Sequence, residues 1–346
     1  MNSTIALFLL QDGVINGAIY ALLGVTLVLI FAVTRVIFVP QGEFAAWGAL
    51  TLASLESGAT PGTALLLVVL GVSAAVVETI RERASMRPAR LGVMAVRDVA
   101  MPIALLLIVS TIAPTKPALW LSVLLTLALV VPLGPLVYRL AFQPIADATV
   151  LTLFIAAIGV HFAMIGLGLI FFGAEGFRNE PFIAGVFPLG PLMFKGQSLV
   201  ILAATAALLA ALWFFFEHSM LGKALRATAI NRLGARLVGI PTRATGRIAF
   251  ALAAAIGALS GTLIGSLTTI SYDSGFIISL KGFVAAIAAG LASYPVTVVA
   301  AIGVGVLESF AAFFASAYKE VIVFSLIIPL LIWRSLVTAH HDEEEE

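Results

Sequence analysis

Two carboxylates, Glu43 and Glu308, fall inside apolar segments of this 346-residue sequence, and any chemistry it performs would start from them. A charge within a membrane segment is a functional feature by default, because taking it out of water is costly. Glu43 follows Pro40–Gln41–Gly42, a helix start, where a carboxylate meets the positive end of the helix dipole. Glu308 lies towards the middle of residues 296–316. There it either couples a proton or is hydrogen-bonded inside a helical bundle, the second being the commoner arrangement. Asp12, Glu56, Glu78, Asp98, Asp147, Glu175 and Asp273 all stand at segment ends, where water is near. The histidines, His161, His218, His340 and His341, show no HExxH or Cys/His ligand spacing, and the absence of cysteine excludes thiolate metal sites and disulfides. There is no GxxxxGK[ST] loop for ATP and no GxSxG nucleophile elbow. A membrane enzyme needs a convergent polar set at one face, and none can be assembled.

The second chemistry-bearing stretch is basic. Phe216 to Arg247 is the only long polar break in the C-terminal half and holds six of the nineteen Lys and Arg residues. Leu221, Leu225, Ala229, Leu233 and Leu237 recur every fourth residue, which predicts one helical face. Lys223, Arg226, Arg232 and Arg236 fall off that stripe. Ser219 is the expected N-cap, and Gly239 with Pro241 the expected stop. A helix over Leu221–Leu233 is about 20 Å long at 1.5 Å per residue, too short and too charged to cross a bilayer. It either lies on the lipid surface with its basic face to anionic headgroups or docks into a soluble partner.

The elements that must position these residues are membrane helices. The chain is 61% hydrophobic and 11% charged, a composition of integral membrane proteins. Its net charge of +1 gives no nucleic-acid footprint. Apolar segments fall at 13–34, 41–55, 62–80, 99–113, 118–139, 149–172, 198–216, 247–270, 280–294, 296–316 and 320–337. Three of them, 41–55, 99–113 and 280–294, are short enough to be re-entrant or broken helices. Met1 to Gln11 lacks the basic residues of a signal peptide, so the first run reads as a retained helix. With the N-terminus outside, fourteen basic residues face the cytoplasm and five face out, a strong positive-inside bias. The C-terminal residues 339–346 then form an acidic cytoplasmic tail. Gly257, Gly261 and Gly265, and Gly13 with Gly17, supply small-residue ridges for helix contacts within or between subunits.

Four blocks in order resemble the permeases of branched-chain amino-acid ABC importers. They are Ile15–Asn16–Gly17–Ala18–Ile19–Tyr20–Ala21–Leu22, then Gln41–Gly42–Glu43–Phe44, then Gly222–Lys223–Ala224–Leu225–Arg226–Ala227 with Gly239–Ile240. The last runs from Leu280–Lys281–Gly282–Phe283 through Gly290, Ser293 and Pro295 to Glu308 and Tyr318–Lys319–Glu320–Val321. The resemblance covers 13–55 and about 118–337. Two departures bear on substrate: Ile37–Phe38–Val39–Pro40 stands where the family has Asn-Phe-Ala or Asn-Leu-Ala, and Ala289–Gly290–Leu291–Ala292–Ser293 replaces its Gly-Gly-x-Gly-Ser turn. Residues 56–117 find no counterpart and read as an inserted helical pair joined by the arginine-rich stretch Arg81 to Arg97.

The resemblance implies an all-α polytopic bundle of about nine to eleven membrane segments, in one permease domain over residues 1–338, in a bacterial inner membrane. It implies a cytoplasmic coupling loop at 217–247, whose Leu221, Gly222, Lys223, Ala224, Leu225, Arg226, Arg232, Arg236 and Gly239 meet an ATPase. A substrate path along Gln41, Gly42, Glu43, Lys281, Gly290 and Ser293 would follow. The chain would bind no cofactor, ATP being used by two cytoplasmic ABC ATPase subunits. A second related permease and an extracytoplasmic substrate-binding protein, docked mainly on Gly173 to Gly196, would complete the importer. The rival expectation is an ion-coupled secondary transporter of a small polar solute, working through Glu308, Glu43 or Lys281.

Overall fold

A computed structural model describes residues 3–81, 92–190 and 192–332. Within them the regular structure is helical but for one hairpin and an isolated bridge between Phe177 and Ile270. The first helices are α1 (Ser3–Thr34), α2 (Gln41–Ser57), α3 (Gly62–Arg81), α4 (Gly92–Thr115), α5 (Leu119–Ile145) and α6 (Val150–Phe172). A hairpin of β1 (Val186–Leu189) and β2 (Leu192–Lys195) follows, its antiparallel register pairing Val186 with Lys195. Then come α7 (Gly196–His218), α8 (Met220–Ile230), α9 (Arg232–Leu237), α10 (Thr242–Ile264), α11 (Ser274–Ala288), α12 (Tyr294–Phe314) and α13 (Lys319–Ser325). Eight helices among the described residues are long and apolar enough to cross a membrane. The all-α polytopic expectation holds. Below, the hairpin face is the end carrying β1 and β2, and the loop face is the end carrying α8 and α9.

Helix α1 is apolar all round and takes the centre, as such helices do. Glycines let its neighbours close on it. A Cβ at Gly17 would stand 2.6 Å from the Ile302 Cα of α12, and one at Gly24 would stand 2.9 Å from the Gly282 carbonyl oxygen of α11. The ridge of α10 packs within the same chain. A Cβ at Gly257 would lie 2.9 Å from the Phe44 Cβ, and one at Gly261 would lie 2.9 Å from the Ala45 Cα, both on α2. Helices α3, α4, α6 and α7 form the rim. Their exposed Val69, Leu107, Phe162 and Trp213 give it the apolar surface that lipid requires.

Helix α4 is longer than the expected 99–113, because its charged first turns are neutralised internally. Arg139 of α5 grips Asp98 with Nη1 at 2.8 Å and Nη2 at 2.9 Å, Arg97 pairs with Asp98 at 2.7 Å, and Glu78 of α3 contacts both arginines. Asp98 is thereby buried among cations, an arrangement that repays its desolvation. This network ties α3 and α4 to α5. The middle of the arginine-rich stretch, residues 82–91, and the acidic tail 339–346 lie outside the described residues.

Helix α11 sits six residues earlier than the apolar run at 280–294 suggests. Ser271 and Ser274, whose hydroxyls bond at 2.7 Å, set its start. A turn with left-handed Gly290 (φ 64) and Leu291 (φ 57) stops it, with the Leu291 N–H donating to the Ala286 carbonyl at 2.8 Å.

Candidate functional site

Two half-length helices define the centre of the molecule. Ser3–Thr34 ends on the loop face, and a non-helical segment over residues 35–40 turns back inward before α2 begins. On the other side, residues 265–273 descend from the hairpin face before α11 begins. The two N-termini meet at Gly42 and Gly275. A Cβ at Gly42 would lie 2.6 Å from the Ser279 Cβ and closer still to the Gly275 carbonyl oxygen. Ser279 fastens the lead-in, its hydroxyl donating to the Val39 carbonyl at 3.0 Å. The depth follows from the flanking helices. Gln41 donates its amide to the Ala253 carbonyl at 2.8 Å, and Ala253 is halfway along α10, a helix about 34 Å long at 1.5 Å per residue. From this junction α2 runs to the hairpin face and α11 to the loop face. The positive ends of two helix dipoles therefore converge near mid-depth.

Glu43 occupies the first turn of α2 and is fully buried. Its Oε1 is 3.1 Å from His161 Nδ1 on α6, off the line of a hydrogen bond, so both carboxylate oxygens and that nitrogen lack an aligned partner. Gln41 Oε1 and Trp47 Nε1 of the same helix are also buried without a partner. The His161 ring rests on Phe276, centroids 4.3 Å apart, just past the start of α11. Buried groups without partners are expensive and are expected where a ligand or water completes them. His161 carries no spacing signal and was not singled out from the sequence.

The candidate path residues divide into three places. Gln41, Gly42 and Glu43 stand at the junction. Lys281 points away from it, into the bundle of α1, α11, α12 and α13. Its Nζ is 2.5 Å from Glu308 Oε1 and 3.2 Å from Glu320 Oε1, while the Tyr20 hydroxyl donates to Glu308 Oε2 at 2.6 Å. Glu308 is thus hydrogen-bonded inside the bundle. Gly290 and Ser293 lie on the loop face, in the turn joining α11 to α12.

The basic stretch differs in form from one continuous helix. Ser219 caps α8 as expected, accepting from the Gly222 N–H at 2.8 Å. Asn231 then leaves helical geometry (φ −148, ψ 100) and caps α9 through the Gly234 N–H. The break takes Leu233 and Leu237 out of the fourfold register, and within α8 the stripe is only partly buried. Leu225 is fully buried and Ala229 half-buried, whereas Leu221, Leu233 and Leu237 are 54%, 68% and 81% exposed. Gly222 packs on the end of α7, where a Cβ would stand 2.7 Å from the Phe216 Cα. Ala224 is half-buried, and Gly239 (φ 86) ends the stretch.

Three arginines brace this stretch against the chain itself. Arg226 bonds Glu217 at 3.0 Å, Arg232 donates to the Ala146 carbonyl at 2.9 Å, and Arg236 bonds Asp147 and the Thr242 hydroxyl, each at 3.0 Å. The exposed residues of the stretch include Lys223, Met220, Leu221, Ile230, Leu233, Leu237 and Val238, with Arg226 and Arg236.

A bundle of apolar helices with two broken half-helices meeting at mid-depth, and an apolar, braced surface helix beneath, has the build of a membrane permease. Comparison gives the family. Residues 9–331 match the family described as "Branched-chain amino acid transport system / permease component", and the chain belongs to it. It is 27% identical over 208 residues to the high-affinity branched-chain amino acid transport system permease protein BraD of Pseudomonas aeruginosa, spanning 58% of this chain and 68% of that protein. It is 28% identical over 201 residues to the corresponding LivH of Escherichia coli K12, spanning 56% of this chain and 65% of that protein. The matched stretches thus span about two thirds of these relatives' length. Among solved structures, PsaBC from Streptococcus pneumoniae in complex with Fab aligns with 94% of this chain and 90% of that chain, at 12% identity and a TM-score of 0.36.

Proposed function

We propose that this chain is the membrane-spanning subunit of an ATP-driven importer of branched-chain or chemically related amino acids. The junction of α2 and α11 carries this reading. A zwitterionic amino acid needs a carboxylate partner for its ammonium group and N–H donors for its own carboxylate. Glu43, with two unpartnered oxygens, supplies the first, and the converging helix N-termini supply the second. No step of bond chemistry is required of the chain. It binds, orients and releases.

In this reading the loop face is cytoplasmic and the N-terminus outside. Helices α8 and α9 dock on one of two ABC ATPases through the exposed apolar side chains and Lys223. The bracing arginines make the stretch rigid, so a displacement there moves α5, α7 and α10 as a body, a switch between two packings rather than a local bend. A second related permease completes the path. An extracytoplasmic binding protein docks on the hairpin face, chiefly over Gly173 to Gly196. The ion-coupled alternative is weakened at its main group, because both Glu308 oxygens are hydrogen-bonded, one to Lys281 and one to Tyr20.

Tagged protein drawn from native membranes in mild detergent is expected to bring down two ATPases, a sister permease and a binding protein. Recovery of an active chain alone would overturn the proposal. The double variant Leu221→Asp, Leu237→Asp changes only exposed positions, where stability moves by about 0.5 kcal/mol or less. It is expected to lose the ATPases and uptake together; unchanged uptake would place docking elsewhere.

A further inference from the structure

A groove of about 770 Å³ opens on the loop face between α1, α7, α8 and the α11–α12 turn. Its walls are apolar: Val25 of α1, Leu209, Leu212 and Phe216 of α7, and Leu225 of α8. Trp213, 64% exposed, stands at its edge on the lipid-facing side of α7, a position typical of the membrane interface. Two cations, Arg35 and Arg226, also line it. Arg226 spends part of its five-donor fork on Glu217, and Arg35 has no side-chain partner among the described residues. An apolar slot at interfacial depth with cations in its lining matches one occupant by charge and shape. That occupant has hydrocarbon at one end and an anion at the other.

The backbone of the walls adds a second observation. Three non-glycine residues among those described have left-handed φ, and two of them, Arg35 (φ 63) and Leu291 (φ 57), line this groove. Each sits where the chain reverses next to a half-helix: Arg35 before the lead-in to α2, Leu291 at the end of α11. Such conformations are strained for residues with a Cβ and persist where the surroundings over-determine them, often in switch regions. The groove therefore touches both strained reversals and the surface helix α8 at once.

We propose that the groove seats one anionic phospholipid of the cytoplasmic leaflet, its phosphate held by Arg35 and Arg226 and an acyl chain lying along Val25, Leu209 and Leu212. The lipid is a wedge between α8 and the two turns that carry the half-helices, so it stiffens the link between docking surface and junction. This rests on the sidedness proposed above. Lipid retention is read without transport, so its failure would leave the transport reading standing.

The test is native mass spectrometry of the purified complex after exchange into nanodiscs of equal phosphatidylglycerol and phosphatidylethanolamine. The wild-type chain is expected to retain phosphatidylglycerol in preference. Arg35→Asn removes the charge but suits a left-handed backbone, and should lower retention about fivefold, the worth of one cation near an anionic headgroup. Leu209→Trp, which fills the groove from α7, should abolish retention, and Lys195→Gln on the opposite face should not change it. Equal retention of the two lipids, or equal retention by all variants, would overturn the proposal. So would loss of the sister permease from the Leu209→Trp complex, since the groove would then belong to that subunit.

Discussion

Gly42→Val is expected to abolish uptake while leaving the chain inserted in the membrane. At Gly42 and Gly275 two helix starts share one volume, and a Cβ on either would enter the other's backbone. Ordinary overpacking costs about 1–3 kcal/mol. Here the obstacle is backbone, which cannot rotate away, so the half-helices must part and the donors aimed at mid-depth move with them. Gly42→Ala should show a weaker form of the same defect. Gly159→Ala and Gly166→Ala on α6, where nothing lies within 4 Å of an added Cβ, should be silent. Uptake of labelled leucine, normalised to membrane content, separates the two sets. Normal uptake by Gly42→Val would mean that the close approach is not needed for transport.

The second large effect is expected at Lys281. Lys281→Met removes the one cation paired with Glu308 among the described residues, leaving a buried carboxylate with the Tyr20 hydroxyl. Breaking a buried pair from one side typically costs about 3–5 kcal/mol, whereas replacing both partners by apolar groups is often nearly neutral. The Lys281→Met chain should therefore lose thermal stability in detergent, and Lys281→Met with Glu308→Leu should recover most of it. A double-mutant cycle reads the coupling directly. Glu308→Gln, whose amide oxygen still accepts from Lys281 and whose amide N–H can donate to the Tyr20 hydroxyl, should support uptake. Failure of the double variant to recover would show that Glu308 has a role beyond the pair.

Much of the architecture was legible because it is one-dimensional information. Span-length apolar runs, the Ser219 cap and the helix start before Glu43 are all local signals, and the structure has each of them. What was not legible depends on partners distant in sequence. Asp98 and Arg97 could enter a membrane helix only because Arg139 and Glu78 meet them there. The Lys281–Glu308 pair and the Glu43–His161 approach likewise join separate helices. The fourfold leucine stripe was a real pattern, but a single Asn231 outside helical geometry split Leu233 and Leu237 from it, and Leu221, one turn before buried Leu225, is exposed as well. The hairpin at Val186–Lys195 is two four-residue strands of nearly all apolar residue types, too short and too uniform in sequence to announce itself. Of the six candidate path residues, the three consecutive ones cluster at the junction. The others do not, since linear order along a family motif says nothing about which way a lysine points.

The most direct test of the account is uptake by proteoliposomes holding the chain with its co-purified partners, binding protein outside and ATP sealed within. Accumulation of leucine, or of whichever amino acid the binding protein carries, should require enclosed ATP and persist when the proton gradient is collapsed. It should fall to background with Glu43→Ala. Uptake that ignores ATP and collapses with the proton gradient would contradict the account and return Glu308 to the centre of the mechanism.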